Sequence, residues 1–271
     1  SGILPGVIFA RRVVLLEDLL ARRSSLVVAL SGGVDSAALL GVAARVVPGR
    51  VVGATARSAA VPEEEIASAA RAARRAGVPH RVVDTDELAD AGYRANAGER
   101  CYFCRREMYG RLHALARAEG IGALADGLHA DDDAGDRPGI RAAGERGVLH
   151  PLRDAGLGKA AVRRLARALG LPHHDRPAEP CLASRLPVGV EVTVARLRRV
   201  GRAERALKSL GFRVVRVRCS GRHGRIEVGG EELERARREE GRLVAAVLEA
   251  GFVSAALDPA GYRAPGAGRT D

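Results

Sequence analysis

Residues 25–36 read SLVVALSGGVDS, and this stretch decides the fold. The apolar run through Leu30 has the length and composition of a short buried strand, and a helical stretch opens at about residue 36 and runs to 46. Between them stand Ser31, Gly32, Gly33, Val34, Asp35 and Ser36. Two glycines let a backbone approach an anion closely, successive amide N–H groups converge, and the helix N-terminus adds a favourable dipole. The Ser31 and Ser36 hydroxyls can donate to phosphate oxygens, and Asp35 can hold Mg²⁺. No lysine follows the glycines, so this is not a Walker loop.

Working outward, strands are expected at 50–54, 81–83 and 122–125, alternating with helices at 63–76 and 105–119. That alternation implies parallel pairing and a doubly wound α/β sheet. Residues 130–147, with Asp131, Asp132, Asp133, Asp136 and Pro138, read as a polar loop long enough to be functional. An amphipathic helix at 159–169 stops at Gly170, with Pro172 beyond it. After Pro187 the pattern changes to a helix (193–210), an alternating strand RVVRVR (213–218), its hairpin partner (225–228), a long charged helix (231–249) and a last strand (252–257). The expectation is therefore two domains: 1–186, the doubly wound sheet with its cysteines, and 187–271, a smaller α+β domain. A loose tail is expected from Ala264, and there is no internal repeat.

The chain has 271 residues, 46% hydrophobic and 28% charged, which excludes disorder along its whole length. No run approaches the roughly 18 apolar residues of a membrane span. The apolar stretch at 2–10 precedes Arg11 and Arg12 instead of following them, so it is not read as a secretory signal. The formal charge is +11, but all except two of the 44 basic residues are arginine, the lysines being Lys159 and Lys208. The excess is spread over several helices, more like a codon bias than a phosphate-binding surface, and a nucleic-acid partner is not expected.

Cys101 and Cys104 stand three apart just before a helix, and Cys181 follows 77 positions after Cys104. Two thiolates at that spacing can grip one metal or cluster, and a distant third can complete a three-cysteine set. On a [4Fe–4S] cube such a set leaves one iron without a protein ligand, able to carry an extra sulfide. A zinc site and a redox pair are the alternatives. Cys219 reads as a core or hairpin residue. No disulfide is needed, and a reducing cytoplasmic setting is expected. The histidines (His129, His150, His173, His174) read as core or solvated residues.

The glycine loop resembles that of the ATP-pyrophosphatase (PP-loop) superfamily, whose members split ATP into AMP and pyrophosphate. The chain as a whole resembles the LarE family of ATP-dependent sulfur transferases, from about residue 20 to 263. The likeness is carried by the loop, Asn96, the 100–109 segment, Asp126-Gly127 before Asp131-Asp132, Arg137-Pro138-Gly139, and PAEPCLASRLP at 177–187. Arg216-Val217-Arg218, Arg225-Ile226-Glu227 and Gly261-Tyr262-Arg263 continue it.

The resemblance implies that Mg·ATP adenylates a carboxylate of pyridinium-3,5-biscarboxylic acid mononucleotide, after which a sulfur nucleophile displaces AMP. It implies ATP contacts from Ser31 to Ser36 and from Asp126 and Gly127. It also implies a substrate-phosphate site at Arg216 and Arg218, polar or metal-contacting roles for Glu204 and Glu227, and Ser184 and Arg185 beside Cys181 in the catalytic centre. Two sulfur sources occur in the family, a sacrificed cysteine at the position of Cys181 and a sulfide on a [4Fe–4S] cluster held by three cysteines. The presence of Cys101 and Cys104 favours the cluster. Implied partners are a second copy of the chain in a homo-oligomer and other proteins of nickel-pincer cofactor biosynthesis.

Four residues depart from the family pattern: Leu128 and His129 after Asp-Gly and Arg57 after Thr-Ala, all near the expected nucleotide face, and Arg105 in place of a common lysine, a change that keeps the charge. The rival readings are a tRNA-thiolating PP-loop enzyme, which shares the loop and in some cases the three cysteines, and a non-catalytic nucleotide- or metal-binding protein.

Overall fold

The computed structural model describes residues 5–132, 137–172, 174–175 and 179–263. Asp133, Asp136, His173, Pro177 and the tail from Ala264 lie outside the described residues. In chain order the first elements are α1 (Pro5–Ala21), β1 (Leu26–Ala29), α2 (Val34–Val46), β2 (Val51–Arg57), α3 (Glu63–Ala76) and β3 (His80–Asp84). Then come α4 (Ala91–Ala95), α5 (Arg100–Ala118), β4 (Leu124–Ala125), α6 (Pro138–Glu145), α7 (Pro151–Asp154) and α8 (Lys159–Ala168). The remainder is α9 (Val194–Ser209), β5 (Val215–Ser220), β6 (His223–Val228), α10 (Leu233–Arg238), α11 (Glu240–Glu249) and β7 (Ser254–Leu257).

The chain forms two compact units. The first comprises 1–90 and 99–179, the second 91–98 and 180–271. In the first unit the sheet has the order β3-β2-β1-β4, and every pairing is parallel. A strand covered on both faces needs no polar side, which is why all four residues of β1 are apolar and buried. One face, through Leu26 and Val28, packs on Leu39 and Leu40 of α2, on Leu16 and Leu20 of α1, and on Val162 and Leu165 of α8. The other, through Val27 and Ala29, packs on Tyr109, Leu112 and Ala116 of α5. This is the expected doubly wound arrangement, with the carboxyl end of the central strand β1 opening into the glycine loop.

In the second unit β5 and β6 form the expected antiparallel hairpin, and β7 joins β6 in parallel. Leu197, Val200, Ala203 and Leu207 recur at three- and four-residue spacing and form the buried face of α9. Thr193 caps that helix by accepting the Arg196 amide at 3.3 Å. The short segment 91–98 belongs to this unit. Asn96, in the left-handed region at φ +51, donates from Nδ2 to the carbonyls of Pro187 (2.7 Å) and Val190 (3.0 Å).

Four expectations need correction. The apolar stretch at 2–10, for which no helix is expected, runs into a helix, Pro5–Ala21, that has a buried face. The helix expected from 105 starts at Arg100, so both cysteines lie within the helix, at its second and fifth positions. Part of the 130–147 loop is helical: Ala130–Asp132 forms a 3-10 turn, and Pro138 opens α6 at the position where its missing N–H costs nothing. The charged helix expected over 231–249 is broken at Glu239 (φ −103, ψ 15), with Gly241 in the following turn. No helix among the described residues is long and apolar enough to cross a membrane.

Candidate active site

The glycine loop is folded tightly onto α3. Gly32 adopts φ +83, and a Cβ there would lie 2.3 Å from the Glu65 carbonyl oxygen. The Ser68 hydroxyl donates to the Gly32 carbonyl at 2.9 Å. Ser31 and Ser36 face each other across the loop, their hydroxyl oxygens 3.2 Å apart, and Ser36 Oγ also accepts the Ser31 amide at 3.2 Å. Gly33 is the N-cap of α2 and has no side chain with which to cap it. The first amides of α2, which no side chain of Gly33 caps, have with the helix dipole the chemistry to receive an anion.

Asp35, in the first turn of α2, is engaged by a residue that the sequence reading did not single out. Lys159 Nζ donates to both carboxylate oxygens, at 2.8 and 2.6 Å. Lys159 opens α8, and its amide donates to Asp131 Oδ2 at 2.6 Å. A lysine is thus brought to the side of the loop from 124 positions away. Its one sequence signal is rarity, a lysine at a helix start in a chain whose basic residues are otherwise almost all arginine.

The end of β4 closes on the same turn. A Cβ at Gly127 would lie 2.7 Å from the Ser36 amide nitrogen. Asp126, before it, is buried and spends both oxygens on the protein. Oδ1 accepts from Leu128 N (3.1 Å) and pairs with His150 Nδ1 (2.7 Å), while Oδ2 accepts the Tyr109 hydroxyl and Arg105 (3.3 Å). Burial alone would raise this carboxyl, but the His150 hydrogen bond, the Arg105 charge and the Tyr109 hydroxyl together hold it below its ordinary value. The same burial pushes the Tyr109 hydroxyl up.

A carboxyl depressed by folding stabilises the fold fully above about pH 4, and that contribution is lost as pH falls through the folded value. His150→Ala raises the folded value, so the acid-unfolding midpoint, followed by circular dichroism, is expected to move to higher pH. An unmoved midpoint would mean that Asp126 does not depend on His150.

The departures from the family pattern have local partners. Arg57 pairs with Asp84 through Nε (2.7 Å) and Nη2 (3.0 Å) at the carboxyl ends of β2 and β3. The Leu128 amide serves Asp126, and the His129 amide donates to Asp132 Oδ2 at 3.3 Å.

Cys101 is exposed and Cys104 half-buried, three residues apart and so on one side of α5. Gly139 of α6 lies against Cys101 and Arg105. Tyr102 and Phe103 meet edge to face at 5.5 Å, and Arg141 stacks on Tyr102 at 4.8 Å. The four cysteines form no disulfide. Among the described residues no group of three or more His, Cys, Asp and Glu side chains is gathered to hold a metal ion.

Cys181 belongs to the second unit, at the start of a 3-10 turn, Leu182–Arg185. Arg185 is 1% exposed and locks that turn in place. Its Nε and Nη2 donate to the two oxygens of Glu204, each at 2.8 Å, and Nη1 donates to the Pro180 and Cys181 carbonyls and to Ser184 Oγ. Glu204 Oε1 also accepts the Val217 amide of β5 at 2.9 Å.

Beside this clamp, Arg218 is half-buried, bonded to Glu227 (3.0 Å) and to the Ser184 carbonyl (3.0 Å). Arg216 is buried, donates to the Val215 carbonyl at 2.7 Å, and lies 5.1 Å over the Tyr262 ring. Cys181, Ser184, Arg185, Glu204, Arg218 and Glu227 are thus one connected network in the second unit. Cys219 is buried, which raises its thiol pKa.

The asparagine synthase family model matches residues 16–118, the span that contains the glycine loop. An uncharacterised protein of Synechocystis is 42% identical over 87% of this chain and 89% of its own length. The pyridinium-3,5-bisthiocarboxylic acid mononucleotide synthase of Lactiplantibacillus plantarum is 32% identical over 94% of this chain and 91% of its own. An uncharacterised protein of Methanocaldococcus jannaschii is 23% identical over 95% of this chain. With the parallel sheet, the glycine loop at its central strand and a relative matched across both units, the chain belongs to the LarE family of PP-loop, ATP-dependent sulfur transferases.

Proposed function

We propose that this enzyme converts a carboxylate of pyridinium-3,5-biscarboxylic acid mononucleotide into a thiocarboxylate. The observation that carries the reading is the likeness to the Lactiplantibacillus synthase, which extends over nearly the whole of both chains. The amides of α2's first turn and the Ser31 and Ser36 hydroxyls bind the β- and γ-phosphates, aided by Gly32 and Gly33. Asp35 would hold the Mg²⁺ that accompanies ATP, and Lys159, which donates to both Asp35 oxygens, brings a positive charge beside the loop.

A substrate carboxylate oxygen attacks the α-phosphorus, and pyrophosphate leaves. A sulfur nucleophile then attacks the acyl carbon, and the C–O bond to AMP breaks. Arg218 meets the substrate phosphate with Arg216 behind it, Glu227 orients Arg218, and the Arg185–Glu204 pair positions Cys181 and Ser184. Three thiolates suit a [4Fe–4S] cube with one open iron, and Cys101, Cys104 and Cys181 are the residues that would hold it. When bound, that group would supply a replaceable sulfide.

The test is single-turnover AMP formation from ATP with and without the pyridinium mononucleotide, on protein reconstituted anaerobically with iron and sulfide. AMP that depends on the mononucleotide, in a chain carrying about four irons, is the expected result, with AMP lost and iron kept in Asp35→Asn. AMP release driven by transfer RNA instead would overturn the substrate. A chain without iron that emerges lighter by one H₂S would move the sulfur source to Cys181 itself.

A further inference from the structure

A cleft of about 330 Å³ lies along α5. At about 100° per residue, Phe103, Arg106, Glu107 and Gly110 share the face that floors it, with Cys101 on the opposite side of the helix. Its walls are the segment from Asp86 to Asp90 and, at the end of α6, Arg146. Most of its charges are already satisfied. Arg106 donates to Asp90 at 2.5 Å and stacks on the Phe103 ring at 5.3 Å. Glu107 accepts Arg111 Nε at 2.8 Å and the Asp86 amide at 3.4 Å, and the buried Glu87 accepts the Thr85 hydroxyl at 3.0 Å.

Two charges are left over, and they have opposite signs. Asp86 is the N-cap of the 3-10 turn Glu87–Ala89, yet its carboxylate neither caps that turn nor pairs with any side chain among the described residues. The Arg146 carbonyl accepts from His113, while its guanidinium makes no hydrogen bond or ion pair among the described residues. That guanidinium lies flat over Gly110, where a Cβ would be 3.5 Å from Nη1 and 3.9 Å from Cζ and Nη2. A glycine inside a helix is unfavourable, and here its bare backbone is where the free guanidinium rests.

We propose that the cleft binds a free α-amino acid with an apolar side chain, its carboxylate on Arg146, its ammonium on Asp86 and its side chain against Phe103 and Ala89. Glu107, which anchors the Asp86 backbone, precedes Gly110 by three residues, about 4.5 Å along the helix. Two opposite charges on one carbon, each with its own hydrogen bond, span such a gap. Toward the start of α5 the wall is the Phe103 ring and the neutralised Arg106–Asp90 pair, which suits an apolar group. The volume is at the low end for small-molecule sites, as a single amino acid requires. Simple ions fit worse. The free guanidinium opposes a cation, the carboxylates oppose a phosphate, and among the described residues no three His, Cys, Asp or Glu side chains gather to hold a metal. The site shares no residue with the ATP, cysteine and substrate-phosphate contacts, so the proposal stands whichever carboxylate the enzyme activates.

Ligand-detected NMR titration of the whole chain, to about 20 mM ligand, tests this with L-leucine, L-methionine and L-phenylalanine. Isoamylamine and isocaproate, which are leucine without its carboxylate and without its ammonium, are the single-charge probes. At least one amino acid should bind saturably, and both single-charge probes at least about tenfold more weakly than L-leucine or its better-bound relatives. Arg146→Gln should weaken the amino acid about tenfold and leave isoamylamine unchanged, while Asp86→Asn should weaken it as much and leave isocaproate unchanged. Gly110→Leu, which fills the cleft and favours the helix, should abolish binding of all of them. Asp86 and Arg146 are exposed, so thermal melts of their variants should match wild type and separate a lost site from an unfolded unit. No saturable binding of any of the three amino acids would overturn the proposal. Isoamylamine bound as tightly as the amino acids would reduce the cleft to an acidic surface, and binding that survives Arg146→Gln or Gly110→Leu would place it elsewhere.

Discussion

Alanine at Arg185 is expected to cost the second unit about 3–5 kcal/mol, a large part of the stability of a domain this size. The guanidinium is 1% exposed and holds both Glu204 oxygens. Without it, a buried carboxylate is left with the Val217 amide in place of a bidentate cation. The Pro180 and Cys181 carbonyls and Ser184 Oγ lose a donor as well. Lysine keeps the charge but not the fork, so Arg185→Lys should recover only part of the loss. Methionine at 185 with leucine at 204 should do better than either single change, because an apolar pair of similar volume leaves no buried charge. It should still fall short of wild type, since the Val217 amide would have no acceptor. Urea midpoints of Arg185→Ala, Arg185→Lys, the double change and its two single changes order these outcomes. If Arg185→Ala unfolds like wild type, Arg185 is not the clamp that sets the Cys181 turn.

That clamp illustrates what the sequence could and could not reveal. In the sequence, Ser184 and Arg185 point to the site only by their nearness to Cys181, and Glu204 only by the family resemblance. Nothing local marks Arg185 as buried, because the carboxylate that makes its burial tolerable lies 19 positions away on α9. The β1–loop–α2 segment was legible because everything it needs is contiguous: an apolar run, two glycines and a helix start. Lys159 was not legible, because the contact depends on α8 packing beside α2 across the core.

The errors in element boundaries have the same root. Cys101 to Phe103, expected just before a helix, lie in the first turn of α5, where Arg106 and Arg141 stack on Tyr102 and Phe103 from one turn on and from α6, contacts that no local pattern carries. Residues 91–98 give no local sign that they fold with the second unit. Their allegiance is written in long-range bonds, Asn96 to Pro187 and Val190, and Val192 N to the Arg94 carbonyl.

Gly32→Ala is expected to lower the rate of AMP formation by about 10²–10³, the scale of losing an oriented donor or displacing a reacting group by an ångström. Two physical causes act together. The residue sits at φ +83, where a Cβ is strained, and the added carbon would lie 2.3 Å from a backbone oxygen that cannot rotate away. The loop must therefore move off α3, taking with it the carbonyl that Ser68 holds and the amides that follow. Gly33→Ala is the comparison in which a Cβ is added beside the phosphates without displacing the loop. Gly33 has φ −80, and its Cβ would meet nothing nearer than the Ser31 hydroxyl at 3.4 Å, so the backbone should stay where it is. Pre-steady-state AMP formation at saturating ATP, with melting curves for both variants, separates a displaced loop from an unfolded unit. If the two alanines cost the same, the position of the loop against α3 does not govern catalysis. If Gly32→Ala alone is crippled while the first unit still melts as wild type, the effect lies in where the α2 amides point, as anion binding at a helix N-terminus requires.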